Sequence, residues 1–330
     1  MSLARLGEFG LIARIRAQVR DPAELPLGIG DDCAAAVVPA GELLLTTTDL
    51  LIEQVHFRRD WTDLETLGRK SVAVNVSDIA AMGGTPRQLY LGVGLPVELP
   101  LEQIEAFMGG VLSACAGYGV TLAGGDTCRS PGPLFISVTA QGSVPPGQLL
   151  TRGGARPGDA VYVSGTLGDS ALALRLLLAG QAPPAELARR HHDPQARVGL
   201  GRRLAAGALA TAMIDLSDGL LGDLGHILAA SGVGARLEAD ALPLSATLRA
   251  VLPDPRQGQE LALTGGEDYE LLFTVPPQQE AAVAALADAE LPLTRIGTIR
   301  AATGLELVDA AGAPQPLPSG GFRHFHVAGR

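Results

Sequence analysis

Six times in this chain an apolar run or a helix delivers carboxylates into a break rich in Gly, Ser or Thr. The breaks are Gly28-Ile29-Gly30-Asp31-Asp32, Thr47-Thr48-Asp49, Asn75-Val76-Ser77-Asp78, Gly124-Gly125-Asp126, Asp215-Leu216-Ser217-Asp218 and Gly265-Gly266-Glu267-Asp268. Asp and Gly are ordinary turn residues, so turn chemistry accounts for any one break taken alone. The joint pattern is harder to explain that way. Hard oxygen ligands of this kind suit Mg²⁺, which is held by a few carboxylates while a substrate's phosphates complete its shell.

The segment from Thr62 to Gly84 gives the best internal evidence. Thr62-Asp63-Leu64-Glu65 reads as a capping box, and Met82-Gly83-Gly84-Thr85-Pro86 as a glycine stop followed by proline. Leu64, Leu67, Val72, Val76 and Ile79 approximate an apolar helical face, and Ser71, Asn75 and Asp78 form a polar stripe. The neighbours are Ala, Val, Ile and Met, so the spacing predicts a buried helix. Burying Asp78 without a partner is costly, no Arg or Lys stands at suitable local spacing, and a bound cation resolves the cost. The alternative is a stripe that faces solvent.

Length sets the frame for organisation. The 330 residues suffice for two domains with cores of their own. Residues 1–145 read as an α+β domain carrying metal- and nucleotide-binding acidic motifs. It has a helix over 7–19, strands over 34–38, 42–48, 88–94 and 134–141, and helices from Thr62 and over 101–116. A junction follows at Ser143-Val144-Pro145-Pro146-Gly147. Residues 146–330 read as a layered α/β domain that completes the site. Its strands lie over 160–164, 212–216, 234–237, 269–275, 294–300 and 305–308. One helix follows Ser170, another opens at Ser217, and an Ala-rich one lies within 276–291. The fold class is therefore α/β.

Charge and composition exclude several functions. The net charge is −10, from 25 basic and 35 acidic residues, and no basic stripe is present to bind nucleic acid. Arg58-Arg59, Arg189-Arg190, Arg202-Arg203 and His191-His192 read as surface pairs. Cys33, Cys115 and Cys128 are odd in number and fit neither a zinc site nor a disulfide framework. No signal-peptide pattern and no uncharged span of membrane length is found, so no membrane is expected and the expected compartment is the cytoplasm. Lys70 is the only lysine and no P-loop exists; the dinucleotide fingerprint and the serine-nucleophile elbow are also missing.

Other positions stay open on the residues alone. Ser217 is a natural N-cap, and Asp218 or a phosphate could sit at that helix N-terminus. Gly165-Thr166-Leu167-Gly168 is either a phosphate approach or simple helix entry. His56 is either a satisfied, partly buried histidine or a ligand contact.

The ordered set of motifs resembles the thiamine-monophosphate kinase family, within the superfamily of aminoimidazole ribonucleotide synthetase and selenophosphate synthetase. The residues that carry the resemblance span nearly the whole chain. They are Gly28–Ala34, Thr48-Asp49, His56-Phe57, Ala73–Gly83, Gly124–Thr127, Leu150-Thr151-Arg152, Gly165–Ser170, Ile214–Leu220 and Gly265–Leu271.

The resemblance implies a two-domain fold like that of aminoimidazole ribonucleotide synthetase. It implies transfer of the ATP γ-phosphoryl group to thiamine monophosphate, giving thiamine diphosphate, with ATP as co-substrate and several Mg²⁺ ions. Asp32, Thr47, Thr48, Asp49, Asp78, Asp126 and Asp215 would hold the metal cluster, and Asp218 a further ion. Asp31 is a neighbour of that set. Gly125, Asp126, Arg152 and Ser217 would contact ATP, and His56, Glu267 and Phe322 thiamine monophosphate. No acid or base is assigned, and a homodimer through the N-terminal sheets is expected. Thr47 stands where the family often has serine, which keeps the hydroxyl. The rival readings are another ATP-dependent enzyme of the superfamily, or a non-catalytic sensor of nucleotide or thiamine phosphate.

Overall fold

A computed structural model describes residues 3–29 and 33–318. The chain divides into two compact units, Met1–Ala80 with Gly84–Gly147, and Ala81–Gly83 with Gln148–Arg330. Asp31, Asp32 and Phe322 lie outside the described residues.

The first unit contains α1 (Leu3–Arg16), β1 (Leu43–Ile52), α2 (Leu64–Ala81), β2 (Thr85–Pro96), α3 (Leu101–Tyr118), β3 (Thr121–Ser130) and β4 (Phe135–Val144). Its sheet runs β1-β4-β2-β3, antiparallel except for the parallel β2–β3 pair. Strand alternation sorts the two faces. On β4, Ile136, Val138 and Ala140 are buried while Ser137, Thr139 and Gln141 are only half-covered. On β1, Leu45 and Leu51 are buried while Leu44 and Leu50 are exposed.

Helix α2 is buried along most of its length, as its apolar neighbours predict. Its cap differs from the expected one: the Asp63 carboxylate accepts the Thr66 N–H at 2.8 Å, and the helix begins at Leu64. Helices α2 and α3 approach backbone to backbone. A Cβ on Gly68 would overlap the Phe107 carbonyl, and a Cβ on Gly110 the Glu65 carbonyl.

Two expectations fail in this unit. Residues 34–38 form no strand; Ala35 makes only an isolated bridge to Leu27, and Val37 and Val38 are exposed. Two β-branched residues do not make a strand where no ladder partner is offered. Conversely, Gly124-Gly125-Asp126 lies inside β3 rather than in a turn. Gly125, with φ 154°, lies against the Leu91 carbonyl of β2, and a Cβ there would overlap that oxygen.

The second unit contains β5 (Ala160–Ser164), α4 (Asp169–Leu178), α5 (Ala185–His192), α6 (Val198–Ala206), β6 (Ala212–Asp215), α7 (Leu220–Ser231), β7 (Gly234–Glu238), α8 (Ala246–Val251), α9 (Pro255–Thr264), β8 (Leu271–Val275), α10 (Glu280–Ala284), β9 (Leu293–Arg300), β10 (Gly304–Val308) and β11 (Pro314–Gln315). The sheet order is β11-β10-β7-β9-β5-β8-β6, antiparallel except for β7–β10. Every residue of β5, β6 and β8 is buried, because helices cover both faces. Val161, Val163, Ile214 and Leu272 pack with Leu224 and Ile227 of α7. Tyr162, Met213, Leu271 and Phe273 pack on the opposite face with Leu200 and Leu204 of α6. This is the layered α/β architecture expected of the second half. The short helices α5, α6, α8 and α9 are not expected from the sequence. Among the described residues no helix is long and apolar enough to cross a membrane.

The helix crossing gives a test with an unusual sign. Gly→Ala within a helix ordinarily stabilises, by about 1 kcal/mol. Gly110→Ala is expected to destabilise by about 2 kcal/mol or more, because the added methyl meets a backbone carbonyl that cannot rotate away. Urea unfolding midpoints measure it; a rise in the midpoint would contradict this packing.

Candidate functional site

In the first unit, alternation along β1 turns Thr47 and Asp49 toward α2 and Thr48 to the other face. The Asn75 Oδ1 accepts the Asp49 N–H at 3.1 Å, while the Asn75 amide donates to the Ser71 carbonyl at 3.0 Å. Ser71 Oγ turns back to the Leu67 carbonyl at 2.8 Å. Ser71 and Asn75 are fully buried and Asp78 is half-buried, so only the Asp78 end of the polar stripe meets solvent. Thr47 Oγ1 donates to Asp78 Oδ2 at 2.5 Å. Thr48 Oγ1 lies 2.8 Å from Thr139 Oγ1 on the opposite face. Thr47, Asp49, Asn75 and Asp78 are thus brought together, and the Thr48 side chain is not among them.

Burial, followed by the charge of Asp78, pushes the Asp49 carboxyl up to about 6. Each ionised carboxylate therefore resists the other, and a cation between them would favour the charged form of both. That repulsion, with the Thr47 hydroxyl beside it, fits a hard divalent cation. Among the described residues no cluster of three or more His, Cys, Asp or Glu side chains forms a complete metal cage.

Asp126 is exposed on β3. Beside it lies an apolar cavity of about 760 Å³, lined among others by Ile15, Tyr90, Phe107, Met108 and Gly124–Asp126. His56 closes a turn after β1. Its Nδ1 accepts the Ile52 N–H at 3.0 Å, which leaves the ring hydrogen of a neutral imidazole on Nε2. Gln54 in the same turn is left-handed, with φ 71°.

In the second unit, Asp215 ends β6 and is buried, Ser217 is half-covered, and Asp218 is exposed. Helix α7 begins at Leu220, so Ser217 is not its N-cap and no side chain caps Gly219. Asp223 instead reaches back: its Oδ2 accepts the Ser217 and Asp218 N–H groups, each at 3.2 Å. Burial, opposed by those N–H groups and reinforced by the charge of Asp218, lifts the Asp223 carboxyl to about 7. Arg152 is exposed on the loop before β5.

The loop from Gly265 to Glu270 is laced to this turn. Leu216 N–H donates to the Glu270 carbonyl, Tyr269 N–H to the Leu216 carbonyl and Glu267 N–H to the Ser217 carbonyl, each at 2.8 Å. Glu267 and Tyr269 are both left-handed, with φ 63° and 50°. Between them Asp268 is buried and accepts the Gly168 N–H, and burial, only partly offset by Arg190, pushes its carboxyl up to about 8. Glu270 has no exposure at all. Burial alone would raise its carboxyl. The Arg197 hydrogen bonds at 2.7 and 2.5 Å, the Arg190 contact at 2.8 Å and the Ser164 hydroxyl at 2.5 Å hold it below the usual range instead.

Asp223, Arg190 and His191 are not expected at the site from the sequence, and Asp268 and Glu270, which fall within the Gly265–Leu271 motif, have no role assigned to them there. Arg190 and His191, read as surface, are buried, at 8% and 3% exposure. The available signal was the spacing Leu187, Arg190, His191, which places both polar residues on the apolar face of α5.

Two acidic constellations on an α+β and a layered α/β unit define the class. The family profile of the AIR synthase related protein, N-terminal domain, matches residues 30–144, and that of the C-terminal domain matches 156–310. The thiamine-monophosphate kinase of Salmonella typhimurium is 43% identical over 328 residues, covering 97% of this chain and 98% of that protein. The crystal structure of thiamine-monophosphate kinase from Stenotrophomonas maltophilia has a TM-score of 0.83 at 45% identity, covering 90% of this chain and 95% of the other. The structure of AaThiL complexed with AMPPCP and TMP has a TM-score of 0.77 at 37% identity, covering 98% and 99%. This chain belongs to the thiamine-monophosphate kinase family.

The buried carboxyl of Asp268 predicts a pH dependence. Its folded-state pKa lies above the unfolded value of 3.8, so its favourable contribution is complete below about pH 4. It is lost as pH rises toward 8. Asp268→Asn keeps an acceptor for Gly168 and cannot ionise. Urea midpoints at pH 5, 7 and 9 are expected to fall with pH more in the wild type than in the variant. Parallel curves would mean that Asp268 keeps an ordinary pKa.

Proposed function

We propose that this protein transfers the γ-phosphoryl group of ATP to thiamine monophosphate, giving thiamine diphosphate and ADP, with Mg²⁺ as the metal. The carrying observation is the Thr47, Asp49 and Asp78 constellation on β1 and α2, in a chain similar over nearly its full length to thiamine-monophosphate kinases. The related structure with AMPPCP and TMP supports the same pair of substrates.

In this reading Asp32, Thr47, Asp49, Asp78, Asp126, Asp215 and Asp218 provide the metal ligands, and the Thr48 side chain, turned to Thr139 on the other face of the sheet, is not among them. Gly125, Asp126, Arg152 and Ser217 meet ATP, and His56, Glu267 and Phe322 meet thiamine monophosphate. When bound, Mg²⁺ would neutralise phosphate charge and orient the transferred group. The chain's own residues do the positioning. Asn75 fixes the backbone at Asp49, Thr47 orients Asp78, and the Ser217 backbone fixes Glu267. The acceptor phosphate is ionised at neutral pH, so no general base is required, and positioning with charge neutralisation dominates the rate. The apolar cavity beside Gly125 and Asp126 suits the base of a nucleotide.

The reading extends to assembly and compartment. Leu44 and Leu50 are exposed on the face of β1 opposite α2, and a second copy packed across a two-fold axis would cover them. We place the homodimer in the cytoplasm. Light scattering after size exclusion at micromolar protein should give twice the chain mass; a single-chain mass unchanged on concentration would remove the dimer alone.

Mass spectrometry of reactions containing ATP, Mg²⁺ and thiamine monophosphate is expected to detect thiamine diphosphate. Phosphorylation of another acceptor in its place would overturn the assignment. Asp78→Asn should lower kcat by about a hundredfold or more without loss of folded structure by circular dichroism. Near wild-type turnover across a Mg²⁺ titration would end the ligand role of Asp78.

A further inference from the structure

Glu267 is fixed twice, once through its backbone and once through its side chain. Its N–H is bound to the Ser217 carbonyl, in the left-handed conformation described above. Its carboxylate Oε2 lies 3.3 Å from His191 Nδ1, and that nitrogen lies 2.9 Å from Ser170 Oγ. Ser170 sits in the first turn of α4 and His191 in the last turn of α5, two helices packed against one another. A carboxylate only accepts, so a bond from His191 to Glu267 requires the Nδ1–H form of the imidazole, in which the Ser170 oxygen is a second acceptor. The His191 side chain is 4% exposed, whereas a quarter of the Glu267 side chain stays open to solvent.

We propose that His191, seated against Ser170, is a positioning residue that holds the Glu267 carboxylate in the orientation that receives the cationic, amine-bearing ring system of thiamine monophosphate. The inference rests on the function proposed above. His191 itself is buried behind Glu267 and acts through it. A glutamate has three side-chain torsions to immobilise, and a ligand must order them on binding unless the protein already has. The backbone bond to Ser217 fixes only where the side chain starts. The imidazole fixes where it ends, on a helix pair rather than on the loop itself. Its partner Ser170 is 1% exposed, so the ring is held from a packed interior.

The test is steady-state kinetics of the full chain with ATP, Mg²⁺ and thiamine monophosphate. His191→Phe removes the donor and keeps the ring volume. It is expected to raise KM for thiamine monophosphate about tenfold or more, the size of a lost hydrogen bond to a charged group. KM for ATP should stay within about twofold, since the loss is confined to one carboxylate. His191→Asn places an amide nitrogen near Nδ1 and should recover most of the effect. In a Glu267→Gln background His191→Phe should add little, because its partner's charge has already gone. Equal shifts in both KM values, or full additivity in the double variant, would make His191 a support of the fold and overturn the inference. So would a wild-type KM in His191→Phe. If His191→Phe does not fold, Ser170→Ala carries the test: a raised KM for thiamine monophosphate alone supports the inference, and an unchanged one overturns it. A wild-type enzyme with no turnover of thiamine monophosphate overturns the proposed function and the inference with it, an outcome distinct from the others.

Discussion

The Glu270 carboxylate has no exposure to solvent, and the loop and turn around it in the second unit depend on how its charge is met there. Arg190 and Arg197 supply the opposite charge and Ser164 a hydroxyl. Removing either arginine would leave a buried charge under-compensated, which is far costlier than losing a surface pair. Glu270 also fixes the chain around it, since its carbonyl accepts the Leu216 N–H and extends the β6–β8 pairing past the strand ends. Two left-handed non-glycine residues, Glu267 and Tyr269, sit in that extension. Such conformations cost about 1 kcal/mol or more each and persist only where the surroundings over-determine them. The anchored Glu270 on one side and the bonds to Leu216 and Ser217 on the other provide that over-determination.

Buried carboxylates in this protein meet the cost of burial in three different ways. Glu270 is paired and stays charged. Asp268 and Asp223 are raised toward or past neutrality and carry backbone N–H partners, so protonation relieves part of their cost. Asp49 has its backbone clamped by Asn75 and its carboxyl burdened by Asp78, with no arginine among the causes of its shift. In the proposed reading the distinction separates structural acids from ligand-binding ones. A carboxylate already neutralised by arginine has little to gain from a metal, whereas mutually repelling carboxylates beside a hydroxyl have much to gain.

Much of this was legible in the sequence because it rests on periodicity and order. Helix α2 was readable from its apolar spacing, the central strands from unbroken apolar runs, and the constellations from the succession of acidic breaks. What was not readable depends on partners distant in the chain. The burial of Arg190 and His191 follows from Glu270 and Glu267, some eighty residues away, and a double-histidine after two arginines looks like surface until those partners are known. The strand character of Gly124–Asp126 depends on pairing with β2, and Gly68 and Gly110 announce themselves only once two helices cross. Ser217 looked like a cap because its local chemistry is right. The N-cap is Gly219 instead, and Asp223, buried in the first turn of α7, reaches back to the Ser217 and Asp218 N–H groups that precede the helix.

Joining two anionic substrates demands positive charge, and this chain carries a net charge of −10. Its only lysine, Lys70, is buried on α2, and Arg190 and Arg197 are engaged by Glu270. In the proposed reading Arg152 and metal ions contribute to phosphate neutralisation. Burial first and the charge of Asp78 second raise Asp49, and in the proposed reading a bound cation would oppose the second of these by favouring the charged form of both carboxylates. An arginine placed beside Asp49 would stabilise the fold and remove the reason for the metal to bind. In this reading the scarcity of basic residues around the pair is a condition of the site, since Asn75 and Thr47 can hold two carboxylates in place without cancelling their charge.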